Sequence, residues 1–254
     1  MVRLGHRVGR WFLLSLCFAG ILSVSAGDGF LEKALKAPGR TEEDLARDKT
    51  SKPAEVLAFF GVKPGMVITD LFSGDGYYSE ILSHAVGSKG KVFAHNNKAY
   101  HAFLKDKATV RYQNNRLPNV TPLNTEVEDL GMAPGSQDLI LMVLCYHDIY
   151  FVTDGWPKID KNKFFKQVYD ALKPGGVLAV VDHAAAAGTK SESAQQLHRI
   201  DEVFAKQDIA DTGFVFEAAS DVLRNPNDDK SKDVFGPDIR RRSDRFVYRF
   251  RKAK

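Results

Sequence analysis

The chain has 254 residues, of which 44% are hydrophobic and 27% charged, and its formal net charge is +4. This length suits one domain, and the apolar content is enough for a full core, so the fold requires neither a disulfide nor a structural metal. Three arginines lie within the first ten residues, and the remainder of the chain carries only +1. That balance excludes the strongly basic surface by which proteins bind nucleic acid, so no nucleic-acid partner is expected.

The first 26 residues have the composition of a secretory signal. The three arginines precede an apolar run, WFLLSLCFAGIL at positions 11–22, and small residues follow up to Ala26. The run is shorter than the roughly 20 residues that a bilayer core requires, which argues against a membrane anchor. We therefore predict a signal peptide cleaved after Ala26, no stable membrane anchor once it is removed, and a periplasmic or secreted protein. The mature chain retains only Cys145 and so forms no intramolecular disulfide.

Residues 27–53 are polar and charged, and we expect an N-terminal lead-in with one short helix that starts near Thr41. Residues 54–254 are predicted to form one domain, beginning with a helix at Ala54–Phe60. Apolar, β-branched runs between turn residues predict strands at Met66–Phe72, Lys91–His95, Thr109–Tyr112, Asp138–Tyr146 and Val177–Asp182. Helices are predicted at Tyr77–Val86, Lys98–Lys105, Lys161–Leu172 and Ser191–Gln207.

This alternation of strands and helices predicts an α/β protein with a mostly parallel sheet covered on both faces. The segments Gly213–Ala218 and Arg245–Arg251 alternate apolar and polar residues, which predicts a hairpin-like close with an antiparallel C-terminal strand. The basic residues of the last segment point either to an anionic partner or to a solvated edge strand. We favour the edge strand, because acidic residues are interleaved with the basic ones.

A glycine-containing turn, Ser73-Gly74-Asp75-Gly76, separates the first strand from the helix that follows it. Glycines permit positive φ and let a ligand approach the backbone closely. The unpaired N–H groups at the start of the helix suit the polar groups of a nucleotide at the carboxyl edge of the sheet. By itself such a turn is a weak signal, but a second strand and a Pro174-Gly175-Gly176 turn follow at suitable distances.

Four segments resemble, in order and spacing, the motifs of class I S-adenosylmethionine-dependent methyltransferases. They are DLFSGDGYYSEIL at 70–82, GKVFAHN at 90–96, SQDLILMVLCYHD at 136–148 and ALKPGGVLAVVD at 171–182. More narrowly, the leader and the later segments HDIYF, VDHAAA, LHRIDE, SDVLRNPNDD and SDRFVYRFRK resemble a family of exported, functionally uncharacterised predicted bacterial methyltransferases. The resemblance implies a three-layer Rossmann-like fold with a seven-stranded sheet, and S-adenosylmethionine as cofactor.

The resemblance also implies the cofactor contacts. The methionine end would be held by Asp70 and the turn residues Ser73, Gly74, Asp75 and Gly76. The residue that ends the second strand, usually an acid that grips the ribose hydroxyls, is here Asn96. An asparagine still donates and accepts hydrogen bonds but lacks the strength of a charged carboxylate.

Two more positions complete the implied cofactor site. Glu126 and Asp129 fall where the family places an acid near the adenine amine. Phe72 replaces the glycine that is usual at the start of the turn, and it either packs under the turn or narrows the pocket.

Candidate chemical groups lie beyond the carboxyl ends of the central strands, where a reacting centre is expected. His147 and Asp148 follow the fourth strand, and His183 follows the fifth. His147 is our first candidate for a base, although a histidine bonded to a neighbouring loop is an equally ordinary role. His147, Asp148 and His183 also have the residue types of a metal site, but no close ligand spacing is visible and we predict no metal. His198, on the predicted helix Ser191–Gln207, is either a buried polar contact or a substrate contact.

The sequence thus favours an exported S-adenosylmethionine-dependent methyltransferase that acts on a small molecule or on a protein side chain. An alternative is a non-catalytic protein that binds a small or nucleoside-like ligand on the same scaffold, which Phe72 and Asn96 favour. A third hypothesis is a metal-dependent enzyme. The sequence names neither the methyl acceptor nor the oligomeric state.

Overall fold

The computed structural model describes residues 29–105 and 107–254, and the predicted signal peptide at 1–26 lies outside them. The N-terminal part contains helices α1 (Gly29–Leu35), α2 (Glu42–Ser51) and α3 (Pro53–Phe60). Thr41 caps α2 as predicted, since its side chain accepts a hydrogen bond from Asp44 N–H while the Asp44 carboxylate accepts one from Thr41 N–H. The lead-in contains two helices rather than one, because α1 was not predicted.

The seven strands form one sheet in the order β3-β2-β1-β4-β5-β7-β6. Their bounds are β1 Val67–Leu71, β2 Lys91–His95, β3 Val120–Leu123, β4 Gln137–Val143, β5 Leu172–His183, β6 Val215–Ser220 and β7 Arg245–Arg251. Strands β1 to β5 run parallel, whereas β7 is antiparallel to both of its neighbours. The structure therefore confirms the predicted α/β class and the mostly parallel, seven-stranded sheet.

The remaining helices connect the strands. They are α4 Tyr77–Val86, α5 Lys98–Leu104, α6 Lys107–Arg111, α7 Lys161–Ala171, α8 Ala194–Leu197 and α9 Glu202–Ala210, with 3-10 turns at Gln113–Asn115 and His147–Ile149. One hydrophobic cluster packs α7 and α9 against one face of the sheet, and a second packs α1, α3 and α4 against the other. This three-layer arrangement leaves the carboxyl ends of β1, β2, β4 and β5 at one edge. Within the described part of the chain, no helix is long and apolar enough to span a membrane.

The predicted strand at Thr109–Tyr112 is wrong, because this segment lies largely in α6. Tertiary contacts of α6 outweigh its β-branched composition: Arg111 pairs with Asp44 of α2 and Glu80 of α4. The third strand is instead Val120–Leu123, a short edge strand that contains a proline.

The C-terminal strand is not the solvated edge strand that we favoured, since β7 lies between β5 and β6. Two of its arginines are paired on the neighbouring strand, because Arg249 and Arg251 both form ion pairs with Glu217 of β6, at 2.9 and 2.7 Å. The interior position follows from the apolar side chains of the strand, of which Phe246, Val247 and Phe250 are fully buried.

The predicted single helix Ser191–Gln207 is two helices, α8 and α9, with a break after Leu197. His198 ends α8 in the left-handed conformation, with φ of +50°, and Asp201 caps the N-terminus of α9. The break turns His198 toward the carboxyl edge of the sheet, where it packs against His147 with ring centroids 5.5 Å apart.

Candidate functional site

The glycine turn joins β1 to α4 at the carboxyl edge of the sheet, as predicted. Gly74 and Gly76 have φ of +61° and +80°, a conformation that glycine adopts without steric cost. The N–H of Gly76 donates to the Ser73 carbonyl at 3.0 Å, and the N–H of Ser73 donates to the His95 carbonyl of β2 at 2.8 Å. The structure therefore brings Ser73, Gly74, Asp75 and Gly76 together at the end of β1.

The two glycines of the turn have different surroundings. A Cβ atom built on Gly74 would meet nothing within 4 Å, so this side of the turn is open. A Cβ on Gly76 would lie 2.2 Å from the Tyr112 hydroxyl and 2.9 Å from the Arg111 Cδ. Gly76 is thus required for packing, whereas Gly74 presents its backbone to open space that a ligand can enter.

Asp70 lies behind the turn with its side chain buried. Its carboxyl accepts a hydrogen bond from the Ser79 hydroxyl of α4 at 2.7 Å. Burial raises the pKa of Asp70 to about 7, because the ionised form is poorly solvated there. The side chain holds β1 to the first turn of α4, and its contact with the methionine end of a cofactor stays a prediction.

Asn96 binds the turn itself. Its Oδ1 accepts from the Gly74 N–H at 3.0 Å, and its Nδ2 donates to the Gly74 carbonyl at 2.9 Å. A carboxylate could not make the second of these bonds, since it has no N–H to donate. The asparagine therefore fixes the backbone of Gly74, and the ribose contact predicted for Asn96 stays a prediction.

Two buried polar atoms beside the turn have no hydrogen-bond partner among the residues that the structure describes, namely Ser73 Oγ and the Tyr112 hydroxyl. Such atoms are costly unless a ligand or water satisfies them. A cavity of about 250 Å³ is lined by Tyr112, Asn96, Ala94 and Pro122 among others. The open side of Gly74, the unpaired hydroxyls and this cavity fit a polar, nucleoside-bearing cofactor.

The two acids predicted near the adenine amine lie in different places. Glu126 Oε1 accepts from the Lys98 N–H at 3.1 Å, which puts its carboxylate at the start of α5, two residues after Asn96. Asp129 caps a local turn by accepting from the Gly131 N–H at 3.0 Å. Both side chains are exposed. The structure thus brings Glu126, but not Asp129, to the loop that follows β2.

A second group of polar side chains lies at the ends of β4 and β5. His147 Nδ1 lies 2.8 Å from Asp182 Oδ1, and the His147 backbone N–H donates to Asp182 Oδ2 at 2.7 Å. On the other side of the ring, Nε2 lies 3.3 Å from Asp148 Oδ1. His147 and Asp182 are buried, so their geometry is fixed by the two strand ends.

Aromatic side chains connect this group to the glycine turn. The Tyr100 hydroxyl of α5 donates to Asp148 Oδ2 at 2.7 Å, and its ring stacks on Phe72 at 5.1 Å between centroids. Phe72 is itself buried and packs under the turn, which is the first of the two roles considered for it. Phe72 and Tyr100 therefore connect the turn to the His147 group.

His183 and His198 differ in their relation to His147. His183 Nδ1 lies 2.6 Å from the Ser243 hydroxyl, so this ring faces β7 and its loop. The His183 ring nevertheless lies 5.9 Å from the His147 ring between centroids, and the chemical role of His183 stays a prediction. His198 instead places a ring nitrogen beside His147 and Asp148, with all three ligand atoms within 4.8 Å of one another.

Burial and nearby carboxylates shift the pKa of His147 in opposite directions. Burial lowers its pKa, but the carboxylates of Asp182 and Asp148 outweigh burial and raise it to about 9. Burial, together with the charge of His147, holds the pKa of His183 well below its usual range. The two carboxylates therefore favour the protonated form of His147. Its role as a base stays a prediction.

Several site residues were not predicted from the sequence. Tyr100 lies in a helical segment with no motif, and Arg111 and Tyr112 lie in the segment taken for a strand. The contact of Asp182 with His147 was not predicted, although an acid at the carboxyl end of a strand beside a histidine-bearing loop is a usable signal. The aromatic residues carry no such signal, because aromatic residues are equally typical of the core.

The comparisons with known proteins bear on this geometry. Residues 70–180 match the model of a methyltransferase domain. The match begins at Asp70, before the glycine turn, and ends within β5, so it includes the turn, Asn96 and His147. It indicates an S-adenosylmethionine-dependent methyltransferase, with S-adenosylmethionine as the cofactor, and supports the class I superfamily.

Curated relatives of the methyltransferase domain are ubiquinone/menaquinone biosynthesis C-methyltransferases. The chain is 27% identical over 123 residues to that of Hydrogenovibrio crunogenus and 29% identical over 127 residues to that of Shewanella sp. (strain W3-18-1). Each alignment covers 48% of this chain and 44% of the relative. The chain therefore spans less than half the length of the curated relatives that it matches.

Solved structures share the fold. An S-adenosylmethionine-dependent methyltransferase from Aquifex aeolicus superposes with a TM-score of 0.59 at 21% identity, covering 89% of this chain and 98% of that one. A geranyl diphosphate C-methyltransferase from Streptomyces coelicolor A3(2) superposes with a TM-score of 0.57 at 12% identity, covering 87% of both chains. These likenesses show the three-layer, Rossmann-like fold of the methyltransferase domain.

Proposed function

We propose that the protein transfers the methyl group of S-adenosylmethionine to a small-molecule or protein acceptor that binds beside His147 and Asp148. The observation that carries the proposal is the shared location of two features, the open glycine turn and the buried histidine–carboxylate group. Tyr100 bridges them, since it stacks on Phe72 and donates to Asp148. The names of the curated relatives favour a carbon atom as the acceptor.

S-adenosylmethionine, when bound, supplies an electrophilic methyl group on a sulfonium, and the sulfur keeps the bonding electron pair when the acceptor takes the methyl. The residues of the chain bind and position. Gly74 leaves its backbone open, Asn96 fixes that backbone, and Ser73 Oγ and the Tyr112 hydroxyl have free hydrogen-bonding capacity for the cofactor. Positioning of this kind supplies most of the acceleration of such a displacement.

A cluster of aromatic side chains lies between the turn and His147 and limits the access of water. Phe72 is buried and contacts Tyr100, Trp156 and Phe164, with ring centroids 5.1 to 6.0 Å apart. A dry site strengthens the electrostatic contacts within it. His147 Nε2, which lies 3.3 Å from Asp148 Oδ1, would contact an acceptor oxygen and orient it there.

A calorimetric titration of the full chain with S-adenosylhomocysteine tests the proposal. We expect one binding site in the unmodified protein and at least a tenfold loss of affinity in Gly74→Ala, since the added methyl group enters the open side of the turn. Gly135→Ala is the matched control, because Gly135 has the same φ of +61° and open space for a Cβ but lies at the opposite edge, before β4. Both variants carry about 1–2 kcal/mol of backbone strain, so a difference between them reports the ligand site.

No heat at high micromolar ligand, in a sample with a cooperative unfolding transition, would overturn the proposal. Equal affinity losses in Gly74→Ala and Gly135→Ala would place the pocket elsewhere.

A non-catalytic ligand-binding protein is the second candidate. Asn96 favours it, because the side chain at the expected ribose position is engaged with the backbone of Gly74 instead. Binding of S-adenosylmethionine without formation of S-adenosylhomocysteine across phenol, amine, thiol and enolisable carbon acceptors would support this candidate. Product formation with any of them would exclude it.

A further inference from the structure

Two histidines and one aspartate from separate parts of the chain converge at the carboxyl edge of the sheet. His147 and Asp148 lie on the 3-10 turn after β4, and His198 ends α8, fifty residues later. One nitrogen of each imidazole and one Asp148 oxygen lie within 4.8 Å of one another. We propose that these three side chains form a binding site for a divalent transition metal ion of the zinc class.

The surroundings of His147 are those of a metal ligand. Its Nδ1 lies 2.8 Å from Asp182 Oδ1, so the ring proton on that side is held by a carboxylate and Nε2 is directed at Asp148. Ligating histidines nearly always donate their second ring N–H to a carboxylate or carbonyl, which fixes the tautomer and makes the ligating nitrogen more basic. Asp182 performs that role here.

Asp148 is oriented in the same way. Its Oδ2 accepts from the Tyr100 hydroxyl at 2.7 Å, while its Oδ1 lies 3.3 Å from His147 Nε2. One oxygen is therefore occupied by a hydrogen bond and the other faces the two histidines. Carboxylates that bind metals are themselves hydrogen-bonded in this manner.

His198 supplies an independent indication. Its Nδ1 is buried and has no hydrogen-bond partner among the described residues. The ring is held between Phe151 and Phe235, with centroids 4.6 and 4.8 Å away, on a residue of positive φ. A buried imidazole nitrogen without a partner is costly, and strained backbone positions cluster at functional sites. Coordination of an ion would satisfy the ring.

The ligand set defines the class of ion. Two imidazoles and a carboxylate suit zinc or iron(II), whereas calcium and magnesium prefer oxygen ligands throughout. The carboxylates of Asp148 and Asp182 together carry the charge that balances a divalent cation, and both side chains are largely withdrawn from solvent. Three protein ligands leave coordination positions open for a substrate atom, as in catalytic zinc sites.

The experiment uses the full chain, stripped of metal with a chelator, dialysed and titrated with Zn²⁺ in a calorimeter. We expect one Zn²⁺ per chain with submicromolar affinity, and at least a hundredfold loss in Asp148→Asn and in His198→Asn. Asparagine suits the left-handed conformation at position 198, so the second variant removes the imidazole with little backbone strain. Asp182→Asn should weaken binding 10- to 100-fold, because it disturbs only the orientation of His147.

His84→Ala is the matched control, since His84 lies on α4, away from the cluster, and this variant should bind Zn²⁺ like the unmodified protein. Circular dichroism of each variant confirms that it is folded, and Co²⁺ absorption reports the coordination. Absence of stoichiometric Zn²⁺ binding to the folded, unmodified chain would overturn the proposal. So would a folded His198→Asn variant that binds Zn²⁺ with unchanged affinity.

Titration of the same samples with S-adenosylhomocysteine separates this proposal from the proposed function. The metal site requires no cofactor, and cofactor binding through the glycine turn requires no metal. Loss of Zn²⁺ binding with intact S-adenosylhomocysteine binding in His198→Asn supports both the metal site and the separate cofactor site at the glycine turn. If the unmodified chain binds S-adenosylhomocysteine but not Zn²⁺, only the metal-site proposal is overturned. His147 would then be a candidate acid or base without a metal.

Discussion

The buried carboxyl of Asp70 makes the stability of the fold depend on pH. Its carboxyl is buried, accepts one hydrogen bond from Ser79, and has a pKa raised to about 7 by burial. Because the folded state binds this proton more tightly than the unfolded state does, the associated stability is fully present below the ordinary pKa near 4. It is lost as the pH rises toward 7.

Replacing Asp70 by Asn should remove this pH dependence. We expect the free energy of unfolding of the unmodified chain, relative to Asp70→Asn, to fall by up to about 1.4 kcal/mol per pH unit between pH 4 and 7. Urea unfolding of both proteins at pH 4.5, 6 and 8 measures the difference, in which other titrating groups cancel. Asp129→Asn, at an exposed carboxylate, is the control. A difference that stays constant with pH would show that Asp70 is ionised at little cost in the fold.

At the level of elements, α2 and α6 are joined to α4 beside the glycine turn by a cluster of charges. Arg111 of α6 bonds both oxygens of Asp44 at 3.0 Å and also pairs with Glu80, whose side chain is fully buried and bonds Arg116 as well. Despite burial, the Arg111 and Thr41 contacts lower the pKa of Asp44 to about 2. That contribution to stability is therefore present above pH 4 and lost as the pH falls through 2.

Removing Arg111 should destabilise the fold strongly, since it takes the ion-pair partner from the buried Asp44 carboxylate and leaves Glu80 with Arg116 alone. We expect Arg111→Ala to lower the free energy of unfolding at pH 7 by about 3–5 kcal/mol, and Arg111→Lys to lower it less. Lys107→Ala, at an exposed position on the same helix, should lie within about 0.5 kcal/mol of the unmodified protein. Guanidinium unfolding measures all three. A loss below about 1 kcal/mol in Arg111→Ala would mean that the cluster is solvated and open.

Elements whose signals are local were predicted well. The helix Tyr77–Val86 and the strand Arg245–Arg251 have their predicted bounds, because a glycine turn or an alternating pattern lies within each segment itself. The strand predicted at Thr109–Tyr112 and the single helix predicted at Ser191–Gln207 were wrong, because contacts with distant residues decide both segments. For the same reason the sequence indicated His147, Asp148 and His198 as candidates at the carboxyl edge of the sheet, but not the break before α9 that turns His198 toward the other two.

For the whole molecule, the predicted leader ends shortly before the first described helix, α1. Leu31 and Ala34 of α1, a few residues after Ala26, are already buried against the core. Cleavage after Ala26 would thus remove none of the described residues. Export remains a proposal, and it matters for function because the cofactor is made in the cytoplasm.

Expression of the full chain in a Gram-negative host, followed by separation of periplasm and cytoplasm, tests export. We expect the periplasmic protein to begin at Gly27 by intact mass, since small residues at positions 24 and 26 suit signal peptidase. Ala26→Lys should block processing and leave the full-length chain in the membrane fraction, because a large charged residue does not fit the cleavage site. Leu35→Lys, nine residues later, introduces the same charge outside the predicted signal and should be cleaved normally even where it destabilises α1. Full-length protein confined to the cytoplasm would contradict export, and it would place the protein in the compartment where S-adenosylmethionine is made.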